Sequence, residues 1–135
     1  MRLGMKTIVQ IVIGFVVASI ISAGAAFASE RMAYSPERFS QAQSVGGPVL
    51  VDIAASWCPV CKVQSDVIRQ ALTEPAFSHF VVFEVNFDSQ KDAVRQFGAT
   101  MQSTLIIFKG KTEVARVIGA TDSDIIKAMM HRATN

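Results

Sequence analysis

The sequence predicts an α/β domain, a central mixed β-sheet flanked by helices on both faces. Three observations carry that prediction. Short apolar runs of strand length alternate with longer helical patterns in the order β-α-β-α-β-α-β-β-α. The run Val49–Ala54 is nearly continuous in apolar residues, as a strand covered on both faces requires. Two further β runs flank Gly110-Lys111 closely enough to form a hairpin, which makes the sheet mixed rather than wholly parallel.

Taken in order, Arg31 to Tyr34 reads as a short strand. Ser35-Pro36-Glu37 reads as a helix start, with Ser as N-cap and Pro at the first helical position, where its missing N–H has no partner to lose. That helix runs to about Gln43, and Gly46-Gly47-Pro48 ends it. The strand Val49–Ala54 leads directly into Cys58-Pro59-Val60-Cys61, which opens a helix to about Leu72. Val60, Val63, Val67 and Ala71 form its expected buried face, widened by Ile68 and Leu72. Phe80 to Phe87 is a second buried strand. Ser89 to Phe97 is a helix with Gly98 as its stop. Thr104–Lys109 and Glu113–Ile118 are the hairpin strands, and Thr121 is expected to cap a last helix through about His131.

Residues 1–28 read differently. Arg2 and Lys6 supply a positive start, no charge occurs from Thr7 to Ser29, and the run ends in Ala26-Phe27-Ala28. This is the pattern of a secretory signal peptide cleaved after Ala28. The uncharged run is also long enough to span a bilayer as an uncleaved anchor, for which about 20 residues suffice. The small residues before Ser29 favour cleavage. Either way residues 29–135, the domain proper, are expected outside the cytoplasm, periplasmic in a bacterial cell. The leader also accounts for most of the positive mean hydropathy of +0.35.

The chain has 13 Lys+Arg and 11 Asp+Glu. Two of those cations are in the leader, so the domain is close to neutral. No basic block or aromatic-basic interleaving points to nucleic acid. The two cysteines are three residues apart, and a bridge closing so short a loop removes little chain entropy, which argues against a stapling role. Intramolecular structural zinc would need four ligands, whereas there is no second Cys-x-x-Cys and His79 and His131 match no finger spacing. No metal ligands are therefore expected within one chain.

A Cys-x-x-Cys at a strand–helix junction has a specific chemistry. The first cysteine meets the unpaired N–H groups and positive dipole end of the helix, which favour a thiolate, the attacking species. The second, one turn on, can attack the resulting mixed disulfide and release the substrate. Asp52 is a lone carboxylate in an apolar strand, costly to bury and for that reason a candidate for use.

The segment Val51-Asp52-Ile53-Ala54-Ala55-Ser56-Trp57-Cys58-Pro59-Val60-Cys61-Lys62 resembles the active-site segment of thioredoxins. Val85-Asn86-Phe87-Asp88, Phe97 to Lys109 and Gly119 resemble later segments of that family, so the likeness extends from Arg31 to the C-terminus. It implies a thioredoxin-like fold and an enzyme, a thiol–disulfide oxidoreductase. Cys58 is then the nucleophile, Cys61 the resolving thiol and Asp52 the proton relay. Trp57, Pro59, Val60, Gln102 and Ser103 are the expected substrate-contacting residues. The redox-active Cys58–Cys61 disulfide would need no other cofactor. Protein thiols and disulfides are the expected partners of a monomer, with a membrane-embedded electron carrier as a further one, and Trp57 with Asp52 tilt the direction toward reduction.

Three features depart from the family. The dipeptide between the cysteines is Pro59-Val60 rather than Gly-Pro. Glu84 stands where the family has a buried lysine near the aspartate; if both carboxylates face the site they would repel and one would tend to hold a proton, and Glu84 could equally turn to solvent. Ser103 occupies the place of the family's cis-proline, and a cis bond before a non-proline residue costs about 3–4 kcal/mol, which favours a trans Gln102–Ser103 bond. Loss of that proline also permits a competing reading, a thioredoxin-like module that holds a metal ion or iron–sulfur cluster on the same soft thiolates, shared between two chains.

Overall fold

The computed structural model describes residues 29–135, and the leader read from residues 1–28 lies outside them. Five strands and four helices follow in the predicted order: β1 (Glu30–Ala33), α1 (Pro36–Val45), β2 (Pro48–Ala54), α2 (Pro59–Ala71), β3 (Val81–Asn86), α3 (Lys91–Gln96), β4 (Thr104–Lys109), β5 (Thr112–Ile118) and α4 (Ser123–Thr134). A short 3-10 turn, Pro75–Phe77, which the sequence reading missed, joins α2 to β3.

The strands form one sheet in the order β1-β3-β2-β4-β5. β1, β3 and β2 run parallel, β4 is antiparallel to β2, and β5 to β4. The alternation of side chains along β2 splits the core in two. Val49, Val51 and Ile53 face a layer with Tyr34, Phe39, Val94 and Phe97, from α1, α3 and their flanks. Leu50 faces Ile68 and Ala71 of α2 and Ile126, Met130 and Ala133 of α4. Asp52 shares the parity of Leu50 and so points to the α2/α4 side. Val49, Leu50, Val51, Asp52 and Ile53 are all at most 1% exposed, which is the burial on both faces that the apolar run predicts.

Local caps agree with the sequence in part. Arg38 N–H donates to Ser35 Oγ at 3.3 Å, and Gly46 closes α1 with φ +82°, a conformation that suits glycine. Two helix starts differ. The α4 cap is Asp122 rather than Thr121: Asp122 Oδ1 accepts from the N–H groups of Asp124 and Ile125 at 2.8 and 3.1 Å. α3 begins at Lys91 rather than Ser89, because Asn86 Oδ1 takes the N–H groups of Asp88 and Ser89 into a turn at 3.0 and 2.9 Å. The buried stripe of α2 also lies one residue round from the expected one. It consists of Cys61, Gln64, Ile68 and Ala71, while Val63 is 44% exposed. A periodicity count places a glutamine outward, but Gln64 is buried because its amide has backbone partners.

Candidate active site

β2 delivers the chain to the N-terminus of α2, and Cys58 is the N-cap there. Its Sγ accepts from Cys61 N–H at 3.1 Å, and Cys58 N–H donates to Ala55 O at 3.1 Å. A sulfur accepting a helix-terminal N–H is the arrangement that stabilises a thiolate once the disulfide opens. Cys58 and Cys61 are joined in a disulfide with Cα atoms 5.3 Å apart, and they are 5% and 3% exposed. They pack with Ala54, Ala55, Val60 and Phe87. Pro59 occupies the first helical position at the surface, and Val60 is half-buried.

Trp57 is 60% exposed, so it is surface rather than core. Its Nε1–H donates to Asp88 Oδ2 at 2.8 Å, which fixes the ring beside the cysteine pair. The sequence offered no sign of Asp88 as its partner.

Asp52 is fully buried. Its Oδ2 accepts from the Arg31 guanidinium at 3.0 Å, and its Oδ1 has no hydrogen-bond partner. The same guanidinium nitrogen donates to Glu84 Oε2 at 3.0 Å. Glu84 is half-exposed, so the buried lysine that this position lacks is replaced by a cation from β1. The Asp52 carboxyl is raised from 3.8 to about 6, the net of burial, which raises it most, the Arg31 guanidinium, which lowers it, and the charge of Glu84, which raises it. The expected repulsion between the two carboxylates is therefore present but moderated by Arg31. Sequence reasoning missed Arg31; its only signal was a charged residue inside a short strand.

Ser103 is buried at 6% exposure and takes φ +55°, and the Gln102–Ser103 bond is trans, as the cost of a non-proline cis bond implies. Ser103 O accepts from Gly119 N–H at 2.8 Å and from Gln64 Nε2 at 3.2 Å, and Gln64 Nε2 also donates to Ala120 O at 2.9 Å. Gln64, one turn past Cys61, thus ties α2 to the segment that departs from the family pattern. Gln102 is half-buried and Met101 is 43% exposed beside it. Among the described residues, no group of three or more His, Cys, Asp or Glu side chains lies together as a metal site within one chain would require.

Comparison with known proteins agrees with this geometry. The family model Thioredoxin matches residues 31–132. Thioredoxin from Alicyclobacillus acidocaldarius subsp. acidocaldarius is 31% identical over 99 residues, 73% of this chain and 93% of that protein. Thioredoxin from Chlamydia caviae is 34% identical over 86 residues, 64% of this chain and 82% of that protein. Among solved structures, Trxlp from Edwardsiella tarda EIB202 is 44% identical with a TM-score of 0.73, over 75% of this chain and 98% of that one. The chain belongs to the thioredoxin family, and its Cys58–Cys61 pair is the redox centre of a thiol–disulfide oxidoreductase.

Proposed function

We propose that this thioredoxin-family protein works outside the cytoplasm as a reductase of protein disulfides, with Cys58 attacking, Cys61 resolving and Asp52 relaying the proton. The observation that carries this reading is a buried carboxylate on the α2 side of the strand that delivers the cysteines, beneath a helix whose N-cap is Cys58. Reduction runs in two steps. Cys58 thiolate attacks a substrate disulfide, forming a mixed disulfide and releasing one substrate thiolate. Cys61 then gives its proton to Asp52 carboxylate, and its sulfur attacks Cys58 Sγ; the Cys58–Cys61 bond forms, and the second substrate thiolate leaves and takes a proton from water. Trp57, Pro59, Val60, Gln102 and Ser103 are the proposed surface against which the substrate chain lies.

The extracytoplasmic placement rests on Arg2, Lys6, the uncharged run and Ala26-Phe27-Ala28. In that compartment the oxidised protein needs a source of electrons, and a membrane-embedded carrier is the proposed one. The monomeric state is likewise part of the proposal. An insulin reduction assay, together with the measured reduction potential of the Cys58–Cys61 couple, tests the direction. A potential near the roughly −270 mV of a thioredoxin-type reductant supports it, and one near the roughly −120 mV of a strong oxidant overturns it. Intact mass of the exported protein tests the leader: a mature chain starting at Ser29 is expected.

A further inference from the structure

The cation that meets the buried carboxylate comes from an unexpected element. In the sheet, Ala33, Glu84, Asp52, Leu105 and Val117 form one cross-strand row. Side chains in one row share a face, so Glu84 and Asp52 are neighbours on the α2 side. Arg31 lies two residues before Ala33 on the edge strand and therefore on that same face. From there its side chain spans β3 and places one guanidinium nitrogen 3.0 Å from Asp52 Oδ2 and 3.0 Å from Glu84 Oε2, with Nε also donating to Glu84.

The other charged side chains on the helices packed against this face are exposed or paired elsewhere. Leu105 and Val117 continue the row without charge. α2 contributes Cys61 and the neutral Gln64, and its Arg69 is occupied by Asp66. α4 presents Ile126 and Met130, and its Lys127 is paired with Glu74. Arg31 also lines an open cleft of about 350 Å³ with Ser29, Ser65, Arg69, Leu72 and Thr73, so the guanidinium joins solvent on one side to the buried carboxylate on the other.

We infer that Arg31 is a positioning residue for thiol exchange: divided between Asp52 and Glu84, it holds the Asp52 carboxylate and sets the pH at which that carboxylate exchanges a proton with Cys61. This rests on the reading of Asp52 as the relay. The division matters because the two partners have opposite consequences. Arg31 favours ionised Asp52, and Glu84 both repels that charge and draws the guanidinium toward itself. Losing one or the other should move Asp52 in opposite directions, a signature that a merely structural bridge does not produce.

The test follows the Asp52 carboxyl carbon by 13C NMR in the full domain, alongside the pH profile of insulin reduction. Asp52→Asn identifies the resonance by its loss. Arg31→Met, which keeps the apolar stem, should raise the Asp52 midpoint by about one pH unit or more, the usual effect of removing an adjacent opposite charge. Glu84→Gln should lower it, and Arg31→Lys should restore most of the wild-type position. The acidic limb of the rate profile should move with the midpoint. If Asp52→Asn leaves the profile unchanged, the relay reading falls and this inference with it. If Asp52→Asn flattens the profile but neither Arg31→Met nor Glu84→Gln shifts the midpoint, the inference alone is overturned. Should Arg31→Met fail to fold, Glu84→Gln decides the matter: a lowered midpoint beside a near-wild-type Arg31→Lys supports it, and an unmoved midpoint in Glu84→Gln overturns it.

Discussion

Replacing Asp52 by asparagine should make the protein more stable and less active. The carboxyl is fully buried with one oxygen unpartnered, and its pKa rises from 3.8 to about 6 in the fold. A raised carboxylate pKa contributes stability that is present below the unfolded value and lost as pH rises through the folded value. Between 3.8 and about 6 the folded protein holds a proton that the unfolded chain has released, so rising pH disfavours folding across that window. Above it the penalty is constant at roughly 3 kcal/mol, from about 1.4 kcal/mol for each pH unit of displacement. Asparagine resembles the protonated group and escapes the penalty. Urea unfolding of the oxidised wild type and Asp52→Asn should therefore give a difference in favour of the variant that is larger by about 2–3 kcal/mol near pH 8 than near pH 3. Taking the difference cancels the other titrating groups. A difference that is the same at both pH values, or one that favours wild type near pH 8, refutes the reasoning.

Two further outcomes follow from the segment around Ser103. Gln64→Leu removes the donor to Ala120 O and one of two donors to Ser103 O, and should cost about 1–2 kcal/mol in urea unfolding, since the part-buried Ala120 carbonyl loses its partner while an orphaned amide oxygen is also removed. Ser103→Pro should destabilise by more than about 1 kcal/mol, because proline fixes φ near −65° and Ser103 stands at +55°, whereas Ser103→Gly should be better tolerated; thermal unfolding of the pair gives the order.

The parts of the molecule that local chemistry determines were legible in the sequence. The strand Val49–Ala54, the cap at Ser35 and the stop at Gly98 follow from side-chain type and backbone preference within a few residues. The cysteine pair was legible for the same reason, since its spacing and its place at a strand–helix junction lie within one short segment. What was hidden depends on strand order and tertiary partners. Arg31 reaches Asp52 only because β1 pairs with β3, which separates it from β2. Gln64 reads as an outward residue until carbonyls from two other segments turn it inward. Asp122 rather than Thr121 caps the last helix because its Oδ1 takes two successive N–H groups, a choice between neighbouring residues that only the backbone geometry makes.

The order in which the cysteines act is central to the proposed reaction. Reduced Cys61→Ser and Cys58→Ser proteins, each incubated with a protein disulfide and analysed by non-reducing gel and intact mass, test it directly. The expected result is a stable mixed disulfide through Cys58 in the Cys61→Ser protein and no adduct or turnover in the Cys58→Ser protein, because in the proposed reaction the helix-cap thiol attacks and the next-turn thiol resolves. An adduct that accumulates on Cys61 while Cys58 stays free would contradict the account.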